Sequence, residues 1–359
     1  MRKFIQVTLM GLAAAVTVNG VAAEKPARSP VSALSFIAGP INAEDLLLVP
    51  GTRWVLTSGA PKGGGLHLIH ADRKEWQAVF PQEAAGSKWD KQAFGSCPGP
   101  LDRAKFVAHG ISLRQTGNKA FNLYVVAHGA RESIEVFGVD ASPAVPVLSW
   151  KGCVLMPEGL AANSVTSFAD GAILATVLVH PNKTWGEMLA GKPTGGVYEW
   201  RPGTPSFRLL AGSELAGNNG IEAGLDGKRF YVAASGSQTI VQFSRTNPVK
   251  VEKTAQLSGY APDNVHWDVE GRRLITAGML DDEPACGGRP VAVNGGRADF
   301  SCPRGYAVDA IDPATMAVTS LARGTANPLL SRYATALVLD KEIWLGPSNG
   351  DRVGIHRDR

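Results

Sequence analysis

The stretch Asn219-Gly220-Ile221-Glu222-Ala223-Gly224-Leu225-Asp226-Gly227-Lys228-Arg229-Phe230-Tyr231-Val232-Ala233 lies over Asp263-Asn264-Val265-His266-Trp267-Asp268-Val269-Glu270-Gly271-Arg272-Arg273-Leu274-Ile275-Thr276-Ala277 without a gap. Each begins on an oxygen-bearing side chain, turns at an acid–glycine pair followed by a base, and climbs through an apolar run that closes on a small residue. The acid–glycine pair is a hairpin signal, and the apolar run after it has strand composition. Similar starts recur at Glu44, His109 and Asn163, and a sixth falls near Ser331. Short strands repeating at this interval, roughly 40–50 residues plus loops, are the mark of a propeller blade.

The rest of the chain reads the same way. Apolar, β-branched runs recur at Leu46–Val49, Trp54–Thr57, Leu66–Ile69, Leu123–Ala127, Ile134–Val139, Ile173–Val179, Gly196–Trp200, Ile240–Ser244 and Glu342–Leu345. Turn pairs such as Pro50-Gly51, Asp170-Gly171 and Asp340-Lys341 separate them. Only Trp185–Ala190 reads as a short helix. An α/β fold is excluded, because no amphipathic helices of 10–15 residues alternate with the strands. The expectation is an all-β, six-bladed β-propeller with four-stranded blades around a central channel. It occupies residues 24–359 as one domain. Trp-Asp occurs at Trp89-Asp90 and Trp267-Asp268 and does not recur once per repeat, which disfavours a WD40 array.

Composition agrees. The 359 residues are 44% hydrophobic and 19% charged, which excludes a disordered chain or a coiled coil. With 41 glycines and 23 prolines the chain is rich in turns. The net charge of +4 includes Arg2 and Lys3, so it gives no case for nucleic acid or an anionic membrane surface.

Residues 1–23 read as a signal peptide, with a basic start at Arg2 and Lys3, an apolar stretch and a Val21-Ala22-Ala23 cleavage site. The expected product is a periplasmic or secreted monomer with no integral membrane segment after cleavage. Four cysteines suit that compartment. They allow three pairings. Cys286 and Cys302 bracket a polar, glycine-rich stretch, so a local bridge is expected there, leaving Cys97 for Cys153.

In a propeller, the starts of the innermost strands converge at one mouth of the channel. Here those positions carry Glu44, Asp45, His109, Asn163, Asn219, Asp263 and Asn264. Carboxylates with neutral amides are the hard oxygen donors that Ca²⁺ takes. Each residue alone also reads as a turn or core residue; recurrence at one point of successive repeats points to a site. Trp54, Trp200 and Trp267 read as blade core. His67 and His70 stand i, i+3 on a strand and face opposite ways, which argues against joint metal binding; His180, His266 and His356 show no partner pattern, and His266 stands just behind Asp263-Asn264. There is no Gly-x-Ser-x-Gly elbow, His-Glu-x-x-His helix or Walker loop.

At these residues the chain resembles the paraoxonase-type lactonases and arylesterases, within the gluconolactonase-like (SMP-30-like) six-bladed propellers. The resemblance runs from about Asn42 to Gly346. It rests on Ala43-Glu44-Asp45-Leu46, Ala108-His109-Gly110-Ile111-Ser112, Leu123-Tyr124-Val125-Val126-Ala127-His128, Leu155-Met156-Pro157 with Asn163, Thr184-Trp185-Gly186-Glu187-Met188, Asn219-Gly220-Ile221 and Asp263-Asn264-Val265. It implies a catalytic Ca²⁺ held by Glu44, Asn163, Asn219, Asp263 and Asn264. It also implies a second, structural Ca²⁺ at Asp45, the carbonyl of Ile111 and position 164. There the family carries Asp and this chain carries Ser164, which weakens that site. His109 and His128 match the family's histidine dyad, suited to general-base work near neutral pH. The cysteine pair that ties the family's ring shut is absent, so closure must rest on strand pairing between the termini. The implied activity is Ca²⁺-dependent hydrolysis of a small lactone or ester. A non-catalytic ligand-binding propeller, or a strictosidine-synthase-like relative, is the alternative. Loops Trp185–Thr194 and Asp281–Pro303 would set specificity.

Overall fold

A computed structural model describes Met1 and residues 34–59, 65–80, 86–292, 296 and 299–357. The expected signal peptide lies outside the described residues, apart from Met1. The described residues from Leu34 to Arg357 form one compact unit.

Six antiparallel sheets follow one another along the chain, and each is built outward from its first strand. Blade one holds Leu46–Leu48, Trp54–Ser58, Leu66–His70 and Trp76–Phe80. Blade two holds Val107–Gly117, Ala120–His128, Ser133–Asp140 and Val147–Leu155, with Gly86–Ser87 added in parallel at its rim. Blade three holds Val165–Ser167, Ile173–Val177, Gly196–Trp200 and Arg208–Leu209; blade four holds Asn218–Ala223, Arg229–Ala234, Thr239–Ser244 and Lys250–Gln256. Blade five holds Tyr260–Trp267, Leu274–Leu280, Tyr306–Ile311 and Val318–Gly324. Blade six begins with Ser331–Leu339, Glu342–Asn349 and Arg352–His356, and its outer strand is Ser35–Ala38 from the other end of the chain. Ser35 pairs with Ile355 and Ala38 with Arg352, so the ring closes by strand pairing between the termini.

The second and third strands are nearly all buried and apolar, because neighbouring blades press on both faces of each sheet. Between blades one and two, Phe80 sits edge-on to Phe106 and Phe137, both at 4.9 Å. Outer strands such as Lys250–Gln256 and Val318–Gly324 are mostly exposed. The tryptophans Trp54 and Trp200 lie in the core, and the one α-helix among the described residues is Trp185–Leu189, capped by Thr184 and Glu187. Cys97–Cys153 and Cys286–Cys302 are both bonded. By loop length alone each contributes about 3 to 4 kcal/mol.

Candidate functional site

The inner strands carry one local irregularity that decides where the site is. In blade two, Ala108 pairs with Ala127 and Ile111 with Val125, so His109 and Gly110 together face one residue. In blade four, Asn219 and Gly220 do the same between the pairs Asn218–Ala234 and Ile221–Val232. In blade five, Asp263 and Asn264 do so between Pro262–Gly278 and Val265–Thr276. A bulge of this kind bends the strand and re-aims its side chains. The three bulges therefore turn four polar side chains, His109, Asn219, Asp263 and Asn264, toward one end of the channel. The close approach needs glycine. A Cβ on Gly220 would lie 2.6 Å from Asn264 Cα, and one on Gly110 would lie 2.6 Å from Ser164 Cα.

Hydroxyls of the second strands fix the bulged backbones. Thr176 donates to the Asn219 carbonyl at 2.6 Å and Thr276 to the Asn264 carbonyl at 2.9 Å. Asn219 donates its amide to Ser235 Oγ at 3.0 Å. Asn264 donates to the carbonyl of Glu44 at 3.1 Å and to Glu44 Oε1 at 3.0 Å. Each donation turns the opposite oxygen of the amide away from its partner. Glu44 Oε2, Asn163 Oδ1, Asn219 Oδ1 and Asn264 Oδ1 are buried and accept no hydrogen bond. Buried acceptors are rarely left so, and four at one place ask for a shared partner. Asp263 completes the group. Burial, and then the charge of Glu44, push its carboxyl well above the usual carboxylate range. Two acids and three amide oxygens around one point have the hardness and charge that a Ca²⁺ ion takes. The residues fit the ion. No cluster of three or more His, Cys, Asp or Glu suited to a metal occurs among the described residues, and three of the five oxygen donors named here are amides.

His109 stands beside this cradle, with Nε2 3.4 Å from Glu44 Oε1. Burial drives its ring toward the neutral form, but Glu44, with Asp263 and Asp45, outweighs burial and raises its pKa. His109 Nδ1 lies 3.1 Å from His128 Nε2, and His128 Nδ1 lies 2.6 Å from Glu132 Oε2. Both histidine side chains are about three-quarters buried, at 24% and 22% exposure. The sequence reading did not include Glu132. Its signal was available: it follows His128 by four residues across the Gly129 turn.

The residues read as a second cation site are differently engaged. Asp45 Oδ2 accepts from the Ile111 N–H at 2.9 Å. Asp45 Oδ1 takes the Leu46 N–H at 3.0 Å, Thr335 Oγ1 at 3.3 Å and His266 Nε2 at 2.7 Å. His266 Nδ1 meets Glu222 Oε2 at 3.2 Å. Burial opposes the charge on His266, but Asp45 and Glu222 raise its pKa to about 10. It is thus a protonated ring bridging two carboxylates, and Ser164 brings no further charge. With both oxygens of Asp45 taken and a cationic side chain against it, these residues do not fit a second ion.

Below this layer the channel opens at its other mouth into a cavity of about 490 Å³. The far ends of all six inner strands line it, and it includes none of the cradle residues. On the cradle side, the Trp185–Leu189 helix reaches the strap closed by Cys286–Cys302, with the Trp185 and Phe300 rings 6.4 Å apart. No described helix is long and apolar enough to cross a membrane.

The chain matches no protein-family profile and no curated protein sequence. Among solved structures it is similar to a luciferin-regenerating enzyme, at 12% identity over 90% of this chain and 95% of that one, with a TM-score of 0.50. That likeness shows the fold. A structural-genomics target assigned to the gluconolactonases aligns at 12% identity over 92% and 93%, with a TM-score of 0.49.

Proposed function

We propose that the chain is an exported, Ca²⁺-dependent hydrolase that opens lactones or cleaves esters. One observation carries the reading: four buried, unpartnered oxygens from four blades gather with Asp263 beside a histidine pair. The motif resemblance and the two disulfides support it. A Ca²⁺ held by Glu44, Asn163, Asn219, Asp263 and Asn264 would polarise a substrate carbonyl and stabilise the negative charge that develops on its oxygen.

The chain's own residues supply the rest. His109 Nε2 takes a proton from water as the water oxygen bonds to the carbonyl carbon. The acyl–oxygen bond then breaks, and the same nitrogen returns the proton to the leaving alkoxide. His128 holds the far side of the His109 ring at Nδ1 and keeps it aimed. No acyl-enzyme forms, in keeping with the missing serine elbow. Purified mature protein should carry Ca²⁺ and turn over members of a lactone and aryl-ester panel. Chelation should stop turnover and Ca²⁺ restore it. Full activity after chelation, or no turnover of any panel member, overturns the reading.

A further inference from the structure

We infer that Glu132 is a positioning residue that fixes the tautomer of both histidines, making the pair the inner two members of an acid–histidine–histidine chain. The inference rests on the hydrolase reading only for its effect on rate; the tautomer follows from geometry alone. An ionised carboxylate can only accept. With Glu132 Oε2 at 2.6 Å, the proton between the two groups belongs to His128 Nδ1. The neutral His128 ring then has its lone pair on Nε2, 3.1 Å from His109 Nδ1. That contact is a hydrogen bond only if His109 donates. So the neutral His109 ring carries its proton on Nδ1 and its lone pair on Nε2, the nitrogen that faces Glu44 and the cradle. One carboxylate at the channel rim thereby selects which nitrogen can act as the base. Without it, His128 is free to protonate Nε2 and donate inward. The polarity of the chain then reverses, and His109 presents an N–H to the site where a base is needed.

The segment around Glu132 is built to hold it. Gly129 has φ of +81°, and a Cβ there would sit 2.1 Å from the Lys105 carbonyl, so the turn after His128 requires glycine. Ala130 N–H closes the turn on the His128 carbonyl at 3.0 Å, and the Glu132 carbonyl takes the Met156 N–H at 3.0 Å. Next to it, Arg131 is locked to the fully buried Glu135 at 2.8 and 3.0 Å and to the Gly99 carbonyl at 2.9 Å. Glu135 in turn takes Trp150 Nε1 at 2.7 Å. The backbone on both sides of Glu132 is thus anchored, although its side chain is 40% exposed. A carboxylate so exposed does little for stability, which separates a positioning role from a structural one.

The experiment uses the Ca²⁺-loaded full chain with ¹⁵N-labelled histidine, assigned by single histidine variants, and long-range ¹H–¹⁵N correlation of the rings. Wild type should show His128 and His109 both protonated at Nδ1 when neutral. Glu132→Ala should move His128 to Nε2–H or to exchange between the two, and Glu132→Asp should restore Nδ1–H in part. On a lactone or ester that wild type turns over, Glu132→Ala should lower kcat at least about tenfold with KM little changed, and Glu132→Asp should recover part of it. Bound Ca²⁺ and the thermal midpoint should stay as in wild type. A wild-type His128 protonated at Nε2, ring signals unmoved in Glu132→Ala, or an unchanged kcat would each overturn the inference. If wild type turns over no panel member, the hydrolase reading falls and the ring tautomers alone decide.

Discussion

His266 Nε2 meets Asp45 Oδ1 at 2.7 Å, and that contact occupies the carboxylate on which a second cation would depend. Asp45 is fully buried and is the carboxylate a second cation would need. It is already neutralised by a protonated ring from blade five, which Glu222 of blade four grips from behind.

Metal stoichiometry follows from that arrangement. Wild type should bind one equivalent of Ca²⁺ per chain, read by elemental analysis after dialysis. Ser164→Asp alone should not change the count, because His266 still engages Asp45. Ser164→Asp with His266→Ala frees Asp45 and adds a carboxylate, and should bind two. Two equivalents in wild type would refute this account of the Asp45 layer.

The same contact gives a pH dependence with a defined sign. The folded-state pKa of His266 is raised to about 10, against an ordinary value of 6.5. A group raised in this way contributes stability that is fully present below pH 6.5 and is lost as pH rises through about 10. The thermal midpoint of wild type should fall between pH 7 and 10 more steeply than that of His266→Gln, whose side chain cannot carry the charge. Equal slopes would show that the bridge does not depend on the proton.

How much of this was legible in the sequence depends on how local each cause is. The blade repeat was readable because hairpin turns and buried second strands depend on a few adjacent residues, as at Asp226-Gly227 and Phe230–Ala234. Outer strands such as Lys250–Gln256 and Val318–Gly324 were not, since they are exposed and polar and take their form from the neighbouring strand. At the site, motif matching named Glu44, Asn163, Asn219, Asp263, Asn264 and the two histidines. It did not reveal the bulges that aim them, because a bulge is a relation between two strands. Nor did it reveal the Asp45–His266–Glu222 bridge, which joins residues up to 221 positions apart. Strand pairing at the termini, by contrast, was required once the family's closing cysteines were seen to be missing.

The bulges make a packing prediction. Gly220→Ala places a methyl group 2.6 Å from Asn264 Cα and from the Asp263 carbonyl, both backbone atoms of the facing bulge. Over-packing of this kind costs about 1–3 kcal/mol. The variant should lose that much in denaturant unfolding and bind Ca²⁺ more weakly. Gly86→Ala, where nothing lies within 4 Å, should change neither. Wild-type affinity in Gly220→Ala would show that the inner strands do not need this approach.

The last prediction concerns the sign of a substitution with and without the ion. Asp263 is pushed well above the usual carboxylate range by burial and by Glu44. In the ion-free protein it is therefore a source of strain: its ionised form is disfavoured in the folded state, and stability falls as pH rises above the unfolded value of about 3.9. Asp263→Asn keeps the shape and removes that charge, so the ion-free variant should melt at or above the wild-type midpoint near pH 7. With Ca²⁺ the order should reverse. Wild type gains stability as RT ln(1 + [Ca²⁺]/Kd), about 2.7 kcal/mol at one hundred times Kd. The variant has lost one of two ligand carboxylates and should gain far less. Thermal melts of both proteins with chelator and with millimolar Ca²⁺ test this directly. A crossing of the two stabilities is expected only if Asp263 and Glu44 share one cation. If Asp263→Asn is destabilised equally in both conditions, the carboxylate has a purely structural partner. If the variant gains as much from Ca²⁺ as wild type, the ion binds elsewhere. The charge on Glu44 makes the comparison sharper, because Glu44→Gln should relieve the same repulsion and abolish the same gain.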